Sequence, residues 1–218
     1  MHDDAHPHHD HDDGHEHAHP HAPPAKDEKI HSYYQVLGLA LKELLIEKGI
    51  VTADEIRQTI EFRDSITPAM GAKIVARAWT DPAFKRRLVA NGSEAIKEFG
   101  LDMGATRLDV VENTSKVHNM IVCTLCSCYP RGVLGLPPSW YKSREYRARA
   151  VREPRAVLAE FGTHLPDTVE VRVHDSTADL RYLVLPMRPS GTDKMNEEQL
   201  AALVSRDSMI GVSLPRQP

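Results

Sequence analysis

Between residues 30 and 100, apolar side chains recur at helical spacing. Val36, Leu37, Ala40, Leu41, Leu44 and Leu45 fall on one stripe, and Gly49 follows as a stop. Thr52 with Glu55 three positions later has the pattern of a capping box opening a second helix. Thr67-Pro68 and Asp81-Pro82 each place a capping side chain before a proline at the first helical position. Ser93 and Gly100 frame a last short helix. A row of helices without strands predicts an extended helical arm over residues 30–105. After Arg107 the period changes. Leu108 and Val110, then Val117, Met120, Ile121 and Val122, predict two strands leading into a cysteine-rich loop. Helices are expected at 144–152 and 154–161, split by Pro154 and closed by Gly162. Strands are expected at 168–173 and 182–185, with a helix at 196–205 begun by Asn196. This mixture predicts an α+β layered domain over 106–218.

Residues 1–29 read differently. Nine of the thirteen histidines lie there among eight acids and two lysines, as in His8-His9-Asp10-His11. Too few apolar side chains are present to offset the entropy of ordering, which predicts a disordered tail. Imidazoles and carboxylates at this density bind divalent cobalt, nickel or zinc weakly. The tail therefore reads either as a metal collector or as a solvated segment with incidental metal affinity. Beyond it, 25 basic and 23 acidic residues nearly balance, and the whole chain carries −4, so nothing argues for a nucleic-acid partner. No apolar run approaches the roughly 20 residues of a membrane span, and no apolar core of a secretory signal follows Met1. A composition of 41% hydrophobic and 27% charged residues is that of a soluble globular protein.

All three cysteines fall within six residues, Cys123-Thr-Leu-Cys126-Ser-Cys128. Free thiols at this spacing suit a reducing cytoplasm. A redox pair of Cys123 and Cys126 leaves Cys128 unexplained. Structural zinc needs a fourth Cys or His, for which only His118 lies nearby in sequence. The third reading is a claw. Two thiolates and the deprotonated amide nitrogens of Ser127 and Cys128 close one six-membered and two five-membered rings around a metal. That planar set leaves Cys123 to bind axially and the sixth position open, as a catalytic metal requires. Removing an amide proton needs a strongly Lewis-acidic ion with a directional field, trivalent cobalt or iron rather than zinc.

The run Val122-Cys-Thr-Leu-Cys-Ser-Cys-Tyr-Pro130, followed by Leu134-Gly-Leu-Pro-Pro-Ser-Trp-Tyr-Lys142, resembles the α subunit of nitrile hydratase. Ala76-Arg-Ala-Trp-Thr-Asp-Pro82, Tyr182-Leu-Val-Leu-Pro186 and Met209-Ile-Gly-Val212 extend the similarity over about residues 36–215. The resemblance implies two sheets between helical layers (α/β/β/α), preceded by an arm that wraps a β subunit in an α2β2 assembly. It implies a lyase that hydrates nitriles to amides on one Co3+ per α subunit, with Thr124 marking the cobalt form and iron the lesser alternative. Cys123 would stay a thiolate, Cys126 would become a sulfinate and Cys128 a sulfenate. Ser127 and Cys128 would supply amidates, and β-subunit arginines would neutralise the anionic site. Cys126 and Cys128 would then be the catalytic pair.

One departure matters. Where nitrile hydratases continue Tyr-Pro-Trp-Pro, this chain has Tyr129-Pro130-Arg131-Gly132. Arginine there resembles the γ subunit of thiocyanate hydrolase, a relative built on the same claw, and a guanidinium favours an anionic substrate. Leu134-Gly-Leu-Pro-Pro is the hydratase form, so both substrates stay in play. A non-catalytic cobalt carrier is a third reading, at odds with the slow ligand exchange of low-spin Co3+. Trp140, with Arg131, is a candidate for the substrate pocket. Tyr141 is expected in the core nearby. Asp175 is a candidate partner contact, and Arg147, Arg149, Arg152 and Arg155 form either a solvated or an interface face.

Overall fold

The structure, a computed structural model, describes residues 32–218, so the histidine-rich tail and its two readings lie outside the described residues. The chain divides into compact units at Ala53–Asp54. In the first, helix α1 (Tyr33–Glu47) starts at a reciprocal cap. Ser32 Oγ accepts from the Gln35 amide, and Gln35 Oε1 accepts from the Ser32 amide. Gly49 follows its end with φ of 64°. No α1 residue is buried, and Val36, Leu37, Leu41 and Leu44 of its apolar stripe are exposed.

Four more helices precede the first strand: α2 (Ala53–Ser65), α3 (Pro68–Thr80), α4 (Pro82–Ala90) and α5 (Gly92–Ala95), the last running into a 3-10 turn that ends at Gly100 with φ of 69°. Two of the expected caps differ. Asp81 caps α4 through the amides of Ala83 and Phe84 as expected, but Thr67 makes no side-chain bond to α3. Asn91 rather than Ser93 caps α5, through the Glu94 amide. Ser93 Oγ is instead taken by the Leu108 amide, tying α5 to the first strand. Helices α3 to α5, which hydrophobic period groups with the arm, bury Ile74, Val75, Phe84, Leu88 and Ala95 in the main core. They pack on β1, α9 and α10 of the same compact unit.

Two parallel ladders carry the rest. Strand β1 (Arg107–Glu112) pairs with β4 (Leu180–Leu185), Arg107 opposite Leu180, and β2 (Val117–Val122) pairs with β3 (Glu170–Asp175), Val117 opposite Glu170. Consecutive β1 and β2 do not pair. Parallel pairing needs long crossovers. The one from β2 to β3 holds the cysteine loop, α6 (Arg131–Leu134), a 3-10 turn (Ser139–Lys142), α7 (Arg144–Arg152) and α8 (Pro154–Glu160). Strand β3 begins two residues later than its hydrophobic pattern predicts, because Pro166 to Val169 form a turn and pairing starts with the Glu170 amide donating to Lys116 O. The expected helix at 196–205 is α9 (Glu197–Leu203), capped by Asn196, and a separate α10 (Arg206–Ile210) follows, capped by Ser205. Met120, Ile121, Val122, Leu183, Val184 and Leu185 fill the space between ladders and helices. The result is the α+β layered arrangement.

The C-terminal turn locks onto β2. Gly211 sits at φ of 89°, and a Cβ there would lie 2.1 Å from Asn119 O. Beside it His118 is buried, with Nε2 donating to Gly211 O at 2.7 Å and Nδ1 accepting from Asn113 Nδ2 at 3.3 Å. Asn119 Nδ2 donates to Asn113 Oδ1 and Glu112 O, while its own Oδ1 accepts from His174 Nε2. His118, which accepts at Nδ1 from an amide N–H, is therefore neutral. Burial pulls the pKa of His118 below that of a free imidazole, against the opposing effect of the Gly211 carbonyl, and burial followed by the Arg172 charge does the same at His174. A depressed folded pKa means that the unfolded chain binds protons more readily. The stabilisation is whole above the free imidazole value of about 6.5 and is lost as pH falls below it toward the folded value. Thermal unfolding followed from pH 8 to 5 should show a falling midpoint in that range. In His118→Gln the fall should be shallower; an unchanged slope would remove His118 from this role.

Candidate metal centre

Strand β2 delivers Cys123 to its end with the side chain fully buried, and the chain then turns back on itself. The Cys126 amide donates to Cys123 Sγ at 3.2 Å, which closes one turn of loop. That turn brings the three free thiols together: Cys123 to Cys126 is 3.4 Å, Cys126 to Cys128 is 3.2 Å, and all three sulfurs lie within 4.8 Å of one another. Burial decreases outward, with Cys123 enclosed, Ser127 and Cys128 half-buried and Cys126 exposed.

The electrostatics favour a first thiolate at Cys126. Hydrogen bonds from Cys128 and Cys123, aided by the Ser127 and Cys128 amides, hold its pKa down at about 7. Burial, then the adjoining Cys126 sulfur, push Cys128 up to about 12, while the charge of Arg181 on β4 pulls the other way. A cation between the sulfurs would favour loss of the Cys128 proton as well. Three thiol sulfurs within one ion's reach, with the Ser127 and Cys128 amides turned to the central sulfur, fit a single metal ion.

Groups outside the trio fix its backbone. Asp175, at the end of β3, accepts from the Thr124 amide at 2.9 Å and from Thr124 Oγ1 at 2.5 Å, so the loop after β2 is bound to the strand beside it. Tyr141 is fully buried, and its hydroxyl donates to Cys128 O at 2.9 Å. Its ring meets Tyr129 edge-on at 5.0 Å. Tyr146 Oη donates to Ile121 O just before the loop, and Arg147 Nη1 reaches Thr124 O at 3.5 Å.

The other candidates are placed as follows. Arg131 is exposed at the first residue of α6, and its side chain has no partner among the described residues. Trp140 stacks with Tyr146 and Phe161 at centroid distances of 4.9 and 4.7 Å, over a cavity of about 170 Å3 that none of the cysteines lines. His118, with both nitrogens committed to Asn113 and Gly211, is not gathered with the thiols, which removes the zinc reading built on it. Arg149 is paired with Glu145, Glu153 and Glu160, and Arg155 donates to the carbonyls of Leu165, Pro166 and Val169. Of the loop's supports, the sequence singled out Tyr141 as core and Asp175 for another role. Tyr146 and Arg181 had no local signal, because each reaches the loop from a distant element.

A profile of the nitrile hydratase α chain matches residues 32–213. The α subunit of the low-molecular-weight cobalt-containing nitrile hydratase of Rhodococcus rhodochrous is 55% identical over 181 residues, covering 82% of this chain and 87% of that one. The thiocyanate hydrolase γ subunit of Thiobacillus thioparus is 43% identical over 197 residues, covering 85% and 81%. Among solved structures, a recombinant thiocyanate hydrolase with partially modified cobalt centres superposes with a TM-score of 0.75 at 42% identity. An Fe-type nitrile hydratase variant from Comamonas testosteroni Ni1 superposes at 0.72 and 44%; both cover 85% of this chain and 91% of theirs.

Proposed function

The chain belongs to the nitrile hydratase α-chain family, and on that premise we propose that it is the α subunit of a cobalt nitrile hydratase, a lyase that converts nitriles to amides. The observation that carries the reading is the gathering of Cys123, Cys126 and Cys128 within 4.8 Å at the end of a buried strand. In this reading Cys123, Cys126 and Cys128 bind through sulfur, and Ser127 and Cys128 through deprotonated amides. Lewis acidity toward the nitrile, or toward water, is what a Co3+ held there supplies. Cobalt over iron rests on Thr124 and on the cobalt-containing relatives. With an external oxidant such as dioxygen supplying the oxygens, Cys126 would be a sulfinate and Cys128 a sulfenate, whose oxygen would serve as base or nucleophile toward the nitrile carbon. Tyr141 and Asp175 hold the backbone on either side of these donors, so that their positions are set before substrate arrives.

The anionic site and the uncovered stripe of α1 support a partner β chain, with arginines that meet the oxygenated sulfurs and an α1 arm that wraps it. We take the assembly to be α2β2 and cytoplasmic, with Asp175 at the interface. No helix among the described residues is long and apolar enough to cross a membrane.

One observation favours thiocyanate as the substrate: Arg131, exposed and without a side-chain partner among the described residues, lies three residues past Cys128. The partnered enzyme should therefore be assayed on acrylonitrile and thiocyanate side by side, with metal analysis and mass spectrometry of the 118–142 peptide. The hydratase reading expects amide formation, one cobalt, two added oxygens on Cys126 and one on Cys128. Thiocyanate turnover without nitrile turnover would overturn it.

A further inference from the structure

Helix α7 has two faces of different character. Tyr146 and Ala150, one turn apart, are buried in the core. Arg144, Arg147, Val151 and Arg152 fall at i, i+3, i+7 and i+8 on another stripe. With Thr124 and Leu125 of the cysteine loop this stripe lines an open groove of about 540 Å3. Two properties of the groove are unusual. Leu125, between two of the metal-binding cysteines, is 86% exposed, and Val151 across from it is 47% exposed. Arg144, Arg147 and Arg152 have no carboxylate partner among the described residues, whereas Arg149 on the other side of the helix has three. Among the described residues, no acidic one lines the groove.

We propose that this groove is a docking site for an acidic segment of the partner chain, one that carries an apolar side chain to cover Leu125 and Val151. Three guanidinium groups without counter-ions among the described residues, arranged around exposed apolar surface, complement carboxylates flanking a hydrophobic anchor. Arginine suits this role because its planar fork binds carboxylates through two hydrogen bonds. The groove also touches the metal loop directly, since Arg147 Nη1 reaches Thr124 O. A partner seated there presses on the backbone between Cys123 and Cys126, so docking and loop conformation are coupled. This inference rests on the reading that a second chain completes the enzyme.

The test uses the full chain and its β chain, co-expressed. The variant R144E/R152E leaves Arg147 and the loop untouched, and its α/β dissociation constant is measured at 50 and 500 mM salt. We expect the complex to weaken at least tenfold at low salt, with most of the salt dependence of the unaltered pair gone. Unchanged cobalt content and circular dichroism will show that the fold and the loop persist. A second variant, Leu125→Ser, should weaken the complex at both salt concentrations. If neither R144E/R152E nor Leu125→Ser weakens the complex, the groove is not the docking site, while the α-subunit reading stands. If only Leu125→Ser has an effect, the acidic character of the segment is wrong. If the unaltered chain forms no complex at all, both inferences fail together.

Discussion

Cys128→Ser is expected to reduce turnover of the partnered enzyme by about a thousandfold, within the range that a positioned base or nucleophile contributes. The serine hydroxyl cannot be oxidised to a sulfenate, and it ionises far less readily than a thiol. The geometry makes the variant informative because the backbone is anchored independently of the side chain. Tyr141 Oη holds Cys128 O, and the Cys126 amide holds onto Cys123, so the loop can keep its path when one sulfur is lost. Cobalt content, measured on the same sample, separates loss of chemistry from loss of the ion. Full turnover with cobalt bound would end the role assigned to Cys128.

The next largest effect is expected at Asp175. Its carboxylate accepts two hydrogen bonds from Thr124, one from the amide and one from the hydroxyl, and together they bind the cysteine loop to β3. Bonds to a charged acceptor are worth about 1.5–3 kcal/mol when shielded and less at an exposed site such as this one. The larger consequence is positional. Without the clamp the loop samples conformations in which the sulfurs and amides diverge. Groups that orient metal ligands typically contribute 10- to 100-fold to affinity or activity, and Asp175→Ala should lose cobalt occupancy or kcat in about that range. Thr124→Val removes the hydroxyl bond but keeps the amide bond, so its effect should be smaller. In the double variant the two losses should be less than additive, because both act on one contact. Strict additivity, or an Asp175→Ala enzyme with normal cobalt and kcat, would show that the clamp does not position the loop.

Legibility in the sequence followed the range of the interaction. The cap of α4 by Asp81, the split between α7 and α8 at Pro154 and the start of α9 at Asn196 are local, involving neighbours within about one turn, and the pattern displays them. Ser93 shows the limit. Its spacing imitates a cap, yet its hydroxyl is taken by the Leu108 amide fifteen residues away, and Asn91 caps the helix instead. Strand β3 was displaced by two residues for a similar reason, since its extent is set by what β2 offers for pairing rather than by its own β-branched run. The arginines of the 147–155 stretch, alike in composition, separate into three roles only when their surroundings are known: Arg149 among glutamates, Arg155 on carbonyls, and Arg147 and Arg152 facing the groove.

The sequence alone placed the candidate donors. Three cysteines within six residues stay near one another whatever the rest of the chain does, because the backbone between them is short and covalent. What folding decided is how that set is presented. Parallel pairing of β2 with β3 brings Asp175 beside Thr124, and a long crossover returns Tyr141 and Arg147 to the loop from beyond it. These contacts join residues 13 to 51 positions apart. Their formation depends on burial of a shared core, which no short window of sequence contains.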